Sequence, residues 1–220
     1  MSGRLPEDLL VVAATDREAA PFRSRDMPTV VSGIGRVNAA VATTLALGTR
    51  PSTIVSVGIA GSLPSVGDNG EPPAIGTIVI GDRSIYAEEG MISSEGFTSI
   101  AEMGFPLAAF ADGNSIQPDS HLLDRVRDLL PAASVGGIAT VATCSGTDER
   151  SVEIANRTGA VAEAMEGAAV LHAARLLGGS AVEIRTISNR TGERSAQGWD
   201  LHAAFSALEQ VAIALASERD

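Results

Sequence analysis

The chain has 220 residues, 45% of them hydrophobic, and a formal charge of −11 from 16 basic and 27 acidic side chains. This length can bury a full core and suits one domain spanning residues 1–220, while the acidic balance argues against nucleic acid or an anionic membrane as partner, since either would be repelled before contact. All 16 basic residues are Arg, which excludes chemistry that depends on Lys, such as a Schiff base or a phosphate-loop lysine; a neutral or zwitterionic small molecule remains as a ligand class.

Residues 1–8 (MSGRLPED) lack the apolar core of a secretory leader, and no apolar run is long enough to span a membrane, so a cytoplasmic location is expected. A first apolar run at 9–15 reads as a strand ending in TDREA, which carries Asp16 and Glu18. A second, 29–35, leads into SGIGRVNAA and a helix over 37–47; a third, 53–60, ends in GIAGS. Then come a loop at 64–76, a strand at 77–82, a long Gly-rich surface loop at 86–117 and a helix over about 119–130. The remainder alternates a strand at 136–143, helices at 148–157 and 164–177, a strand at 181–188 ending in SNRTG with Trp199 beyond it, and a helix at 201–216. The apolar runs are continuous rather than alternating, which implies strands buried on both faces, and the heavy use of Ala, Val and Gly with only 3% aromatics suits helices packed tightly on a mostly parallel sheet.

Glu163 and Glu166 stand three apart, and on a helix they share one face. The single cysteine, Cys144, rules out an internal disulfide and has no local His to activate it, so packing is its expected role; His121, His172 and His202 are too scattered for a metal site, so neither metal nor cofactor is expected. Polar residues gather where strands end, which is where open α/β sheets bind ligands.

The stretches VVAATDREA, VSGIGRVNAA, SVGIAGSL, ATVATCSGT, AEAMEGAAV and EIRTISNRTG followed by tryptophan together resemble the nucleoside phosphorylase and nucleosidase superfamily, and within it the futalosine hydrolases of menaquinone biosynthesis. The resemblance covers nearly the whole chain. It implies an α/β fold with a mixed, partly closed central sheet flanked by helices, a homo-oligomer (dimer or tetramer), a nucleoside substrate and no cofactor. It further implies that Met165 and Glu166 lie under the ribose, with the Glu166 carboxylate accepting from the 2′ and 3′ hydroxyls, a bond that strengthens as positive charge develops on the sugar. Glu163 is left as a solvated helix residue.

The same resemblance makes Glu18 the base that activates water, with Asp16 as its competitor. It also implies that Ile34 is among the substrate-binding residues and that Ala60 and Gly61 are close-approach backbone beside the nucleoside. Thr143 and Cys144 flank the purine on one side, Ser188 and Asn189 on the other, with Trp199 over the ligand. Arg185, inside a buried strand, is grouped with the binding residues as one that orients others by hydrogen bonds. Arg190 and Arg194 are candidates for a substrate carboxylate on grounds of charge.

Two departures carry information. Phosphorolytic relatives hold phosphate with an Arg and a Ser around the GIAGS loop; this chain has Ser56 and Ile59 there, which favours water as acceptor, with Arg36 the remaining phosphate candidate. Adenine-releasing relatives have Asp where this chain has Asn189, and an amide, which both donates and accepts but transfers no proton, suits a 6-oxopurine such as hypoxanthine. The competing readings are a methylthioadenosine/S-adenosylhomocysteine or aminofutalosine nucleosidase, a purine nucleoside phosphorylase, and a nucleoside-binding sensor without activity.

Overall fold

The computed structural model describes residues 5–6, 8–48, 53–66 and 70–218; most of the N-terminal segment 1–8, and residues 67–69 of the 64–76 loop, lie outside them. The architecture is α/β. Two long strands, β3 (Thr53–Ser62) and β10 (Ser180–Arg190), run parallel along nearly their full length. β10 pairs antiparallel with β4 (Ile78–Tyr86), β4 pairs parallel with β8 (Ser134–Thr140), and β8 pairs parallel with β9 (Ala162–Ala164). β9 returns antiparallel to the far end of β3, which closes these five strands into a barrel. The near end of β3 carries β1 (Leu10–Ala13) and, beyond it, β2 (Thr29–Val31), so the sheet is mixed and partly closed.

Helices cover the sheet on both sides. α1 (Asp16–Arg23), α3 (Ser120–Leu129) and α6 (Leu201–Ala216) bury Phe22, Val126, Leu208 and Val211 against Val11, Val55 and Ile184. On the opposite side α2 (Arg36–Leu47) and α5 (Gly167–Leu176) close over Val12 and Ile54, and Ala168, Ala169 and Ala174 keep α5 close to the strands. α4 (Asp148–Thr158) packs Ile154 and Ala155 on Val141 and Ala139. No helix among the described residues is long and apolar enough to cross a membrane.

Three expectations need correction. The helix placed at 164–177 begins at Gly167, and residues 162–164 form β9 between β8 and β3. Ala, Glu and Met favour a helix there by propensity, but pairing on both edges outweighs propensities of a few tenths of a kcal/mol per residue. Glu163 is therefore a buried strand residue, not a solvated helix residue. The 86–117 stretch is more ordered than a loop: β4 runs on to Tyr86, β5 (Gly90–Ser93) and β6 (Gly96–Ser99) make a hairpin, and β7 (Ser115–Ile116) adds to β4. α1, unassigned from the sequence, starts with a capping box in which the Thr15 hydroxyl accepts from the Glu18 N–H and the Glu18 carboxylate accepts from the Thr15 N–H.

Candidate active site

A cavity of about 690 Å³ opens at the end of β3, β9 and β10 where these strands meet the starts of α1 and α5. Its size is that of a small-molecule site, typically about 300–1,000 Å³. Glu18, Ile34, Ala60, Gly61, Cys144, Met165, Glu166, Ser188, Asn189 and Trp199, all expected from the sequence, line it. Thr143 is exposed and does not line the cavity, although its neighbour Cys144 does. Arg190 is exposed and also lies outside the lining, whereas Arg194 contributes to it.

Glu18 is buried, and the capping box explains how it is held. Its Oε2 accepts from the Thr15 N–H at 3.0 Å and the Thr15 hydroxyl at 2.8 Å, and its Oε1 accepts from the Ile59 N–H at 3.0 Å. Asp16 instead points to solvent, with its side chain 86% exposed and paired with Arg23. Of the two competing carboxylates, only Glu18 faces the cavity.

Glu166 is the residue from which α5 departs. Its Oε1 accepts from the Gly35 N–H at 2.9 Å, so the GIG turn delivers a backbone donor to this carboxylate. Gly35 has φ +94, a conformation that only glycine adopts without strain. The second oxygen lies 3.4 Å from the Arg185 Nη1.

Arg185 is the centre of the arrangement but is not part of the cavity surface. This corrects its placement among the substrate-binding residues: it lies beneath Glu18 and Glu166, inside the barrel. Its Nε donates to Glu183 at 2.9 Å, and its Nη2 lies 3.4 Å from the Ser56 hydroxyl. Gly58, opposite Arg185 on β3, makes room for this: a Cβ there would sit 2.4 Å from Arg185 Nη1 and 2.6 Å from Glu18 Oε1. Burial alone would lower the Arg185 pKa, but the carboxylates of Glu183, Glu166 and Glu18 around it raise it above the ordinary value. Glu183 is itself fully buried, bonded by the Ser84 hydroxyl as well as by Arg185, and its pKa is pushed up by burial.

On the other wall Ser188 donates to the Asn189 Oδ1 at 2.8 Å, and the Asn189 Nδ2 donates to the Arg190 carbonyl at 2.7 Å, which fixes the amide orientation and leaves one N–H for a ligand. Glu163 accepts from the Ser145 N–H at 2.8 Å and the Ser145 hydroxyl at 2.6 Å. Burial raises the pKa of Glu163 and, with the nearby Glu163 and Glu166 charges adding to it, that of the Cys144 thiol, which therefore stays protonated and packs 3.6 Å from the Met165 sulfur. Trp199 donates to the Gln197 Oε1 at 2.9 Å, and Arg194 stacks over its ring at 5.4 Å. Gln197, Glu163, Arg17 and Phe205 were missed from the sequence. Only Glu163 had a signal there, its place two residues before the MEG motif.

The one remaining phosphate candidate, Arg36, and the two positions that hold phosphate in phosphorolytic relatives, Ser56 and Ile59, are otherwise engaged. Arg36 is paired with Glu89 at 2.7 Å, Ser56 is buried under Arg185, and the Ile59 backbone is bonded to Glu18. Among the described residues no group of three or more His, Cys, Asp or Glu could hold a metal ion.

The phosphorylase superfamily profile matches residues 25–218. The chain belongs to this superfamily. A futalosine hydrolase from Acidothermus cellulolyticus is 37% identical over 167 residues, 74% of this chain and 64% of that protein, so the match spans slightly less than two thirds of its length. A futalosine hydrolase from Thermus thermophilus is 32% identical over 85% of this chain and 80% of its own length. Among solved structures, a 5′-methylthioadenosine/S-adenosylhomocysteine nucleosidase from S. pneumoniae with a transition-state inhibitor superposes with TM-score 0.76 over 96% of this chain and 99% of that chain; at 20% identity this likeness speaks to the fold.

Replacing Arg185 by Met keeps the volume but leaves Glu183 and Glu166 buried without their cation. The expected cost is about 3–5 kcal/mol of unfolding free energy in denaturant titration; a loss below about 1 kcal/mol would show that these carboxyls are neutral in the folded protein.

Proposed function

We propose that this chain is a nucleoside hydrolase that cleaves the N-ribosidic bond of futalosine, releasing hypoxanthine and dehypoxanthine futalosine in menaquinone biosynthesis. The observation that carries this reading is the pairing of two buried carboxylates, Glu18 and Glu166, on one cavity and over one guanidinium. Their division of labour follows from their settings. Glu166, fixed by Gly35 and Arg185, accepts from the ribose hydroxyls and stabilises the oxocarbenium-like sugar. Glu18 takes a proton from water as the oxygen adds to C1′, and the C1′–N9 electron pair leaves with the purine. Asn189 donates a hydrogen bond to the departing base as it gains electron density and transfers no proton. A sensor that only binds has no use for a water-activating base, so retention of Glu18 speaks for turnover.

The futalosine assignment is supported by Asn189 in place of a carboxylic acid and by the names of the relatives that share 37% and 32% identity. The expected homo-oligomer is supported by a stripe on α2, where Val37, Val41 and Leu45 recur at helical spacing and are 72%, 53% and 76% exposed. The stripe continues towards Ile34, which lines the cavity, and this supports an oligomer contact beside the site.

Purified protein given futalosine should release hypoxanthine at a rate that phosphate and chelators leave unchanged, followed by chromatography of the free base; formation of a ribose 1-phosphate product would overturn hydrolysis. Glu18→Gln should lower kcat by about 10²- to 10⁴-fold while KM stays within a few fold, because the amide keeps the shape but takes no proton. Wild-type rates in that variant would remove Glu18 as the base. Finally, wild-type protein should prefer futalosine over aminofutalosine by up to about 10⁴-fold in kcat/KM, and Asn189→Asp should narrow that ratio. A ratio that does not move would mean that Asn189 does not read the base.

A further inference from the structure

We infer that Glu163 reads the purine as well: its carboxylate accepts a hydrogen bond from the N1–H of a 6-oxopurine, opposite Asn189, and so selects hypoxanthine over adenine. The inference rests on the nucleoside hydrolase reading for its ligand and on strand register for its geometry. Asn189 on β10 is paired with Gly61 on β3, and Gly61 is paired with Glu163 on β9. Residues paired across adjacent strands project to the same face. The result is a row of amide, gap and carboxylate, and all three positions line the cavity. The gap is enforced, since a Cβ on Gly61 would meet Thr191 Cγ2 at 2.7 Å and the Asn189 Nδ2 at 3.3 Å. Two strand spacings of about 4.8 Å separate the outer members by roughly 10 Å at the backbone, which leaves a slot for the edge of a flat heterocycle between the two side chains.

The state of Glu163 also calls for a ligand donor. It is 5% exposed, and both its partners come from Ser145, through one N–H and one hydroxyl. No ion pair to it is formed among the described residues, unlike Glu166 and Glu183, which share Arg185. A buried carboxylate held by neutral donors alone is costly, and with about four lone-pair sites it has capacity left after Ser145 takes two. A ring N–H supplies the missing donor. In a hypoxanthine nucleoside the N1–H is that donor, whereas N1 of adenine carries a lone pair that would face the carboxylate. The 6-amino group of adenine can reach the same oxygen only with that repulsion in place. Asn189 and Glu163 then read adjacent positions of one base: the amide N–H the acceptor side, the carboxylate the donor.

The alternative is that Glu163 only ties down the chain around Ser145, and the two roles separate experimentally. Binding of hypoxanthine, 1-methylhypoxanthine and adenine is followed through Trp199, the single tryptophan, which lines the cavity. Wild-type protein should favour hypoxanthine over the other two bases by at least about 10-fold. Glu163→Gln should lose about 10-fold or more in hypoxanthine affinity and bring the three bases within a few fold of one another. Ser145→Ala, which removes one anchor and keeps the carboxylate, should preserve the ranking. A ranking unchanged in Glu163→Gln, or lost equally in Ser145→Ala, overturns the inference. Should Glu163→Gln not fold, wild-type protein that binds 1-methylhypoxanthine as well as hypoxanthine overturns it by itself. Turnover separates this inference from the reading on which it rests. Hypoxanthine-selective binding that depends on Glu163, in a protein that cleaves no nucleoside, supports the inference and overturns the hydrolase; futalosine cleavage with a ranking indifferent to Glu163 does the reverse.

Discussion

One guanidinium inside the barrel sets the geometry of everything around the cavity. Arg185 is 1% exposed, and a charge so placed survives only where carboxylates and hydrogen bonds replace the water it has lost. Glu183 supplies the first partner from the same strand, Glu166 the second from the start of α5, and Ser56 a hydroxyl from β3. The planar fork of arginine suits this better than a point charge, because its nitrogens reach partners on different elements at once. Small residues are then required where the side chains converge. Gly58 is one such position and Gly167 the other, where a Cβ would fall 1.9 Å from the Glu183 carboxyl.

That centre links three chain segments that are far apart in sequence. The Thr15 capping box and the GIG turn each end in a hydrogen bond to Glu18 or Glu166, and the start of α5 carries Glu166 itself. A shift in any one moves a carboxylate, and through Arg185 it is felt by the other. The cavity is thus built from strand ends and helix starts, where short rigid turns place side chains more accurately than long loops do.

Much of this was legible in the sequence. The six long apolar runs are strands, and the five helical patterns are helices, because continuous apolar stretches and 3.6-residue periodicity report burial directly. α1 is not assigned from the sequence: with only eight residues and Pro21 inside it shows little periodicity, and the T-x-x-E of its capping box, Thr15 to Glu18, is passed over. The polar residues at strand ends converge as expected. What failed were assignments that depend on long-range pairing. Glu163 looks helical in its local sequence and becomes a strand residue only because β3 and β8 lie on either side of it. Arg185 reads from the sequence as a buried residue that orients others, but its partner Glu183, two positions away on the same strand, is not recognised there. Gln197, which receives both Trp199 and Arg194, directly follows the short 3₁₀ turn Arg194–Ala196, in a stretch with no pattern of its own.

The charge pattern of the cavity also bears on the acceptor. A phosphate dianion entering between Glu18 and Glu166 would meet two carboxylates whose cation, Arg185, is already shared with Glu183. Each carboxylate about 4 Å from a unit negative charge opposes it by about 4 kcal/mol at an effective dielectric of 20. Arg36, the one basic residue beside the GIG turn, is committed to Glu89. Water carries no charge and can donate to the acidic centre, and an oxocarbenium-like sugar is drawn to it. The same carboxylates that would repel an anionic nucleophile therefore stabilise the cationic sugar and orient the neutral acceptor, so a preference for water follows from the electrostatics of the pocket as well as from Ser56 and Ile59.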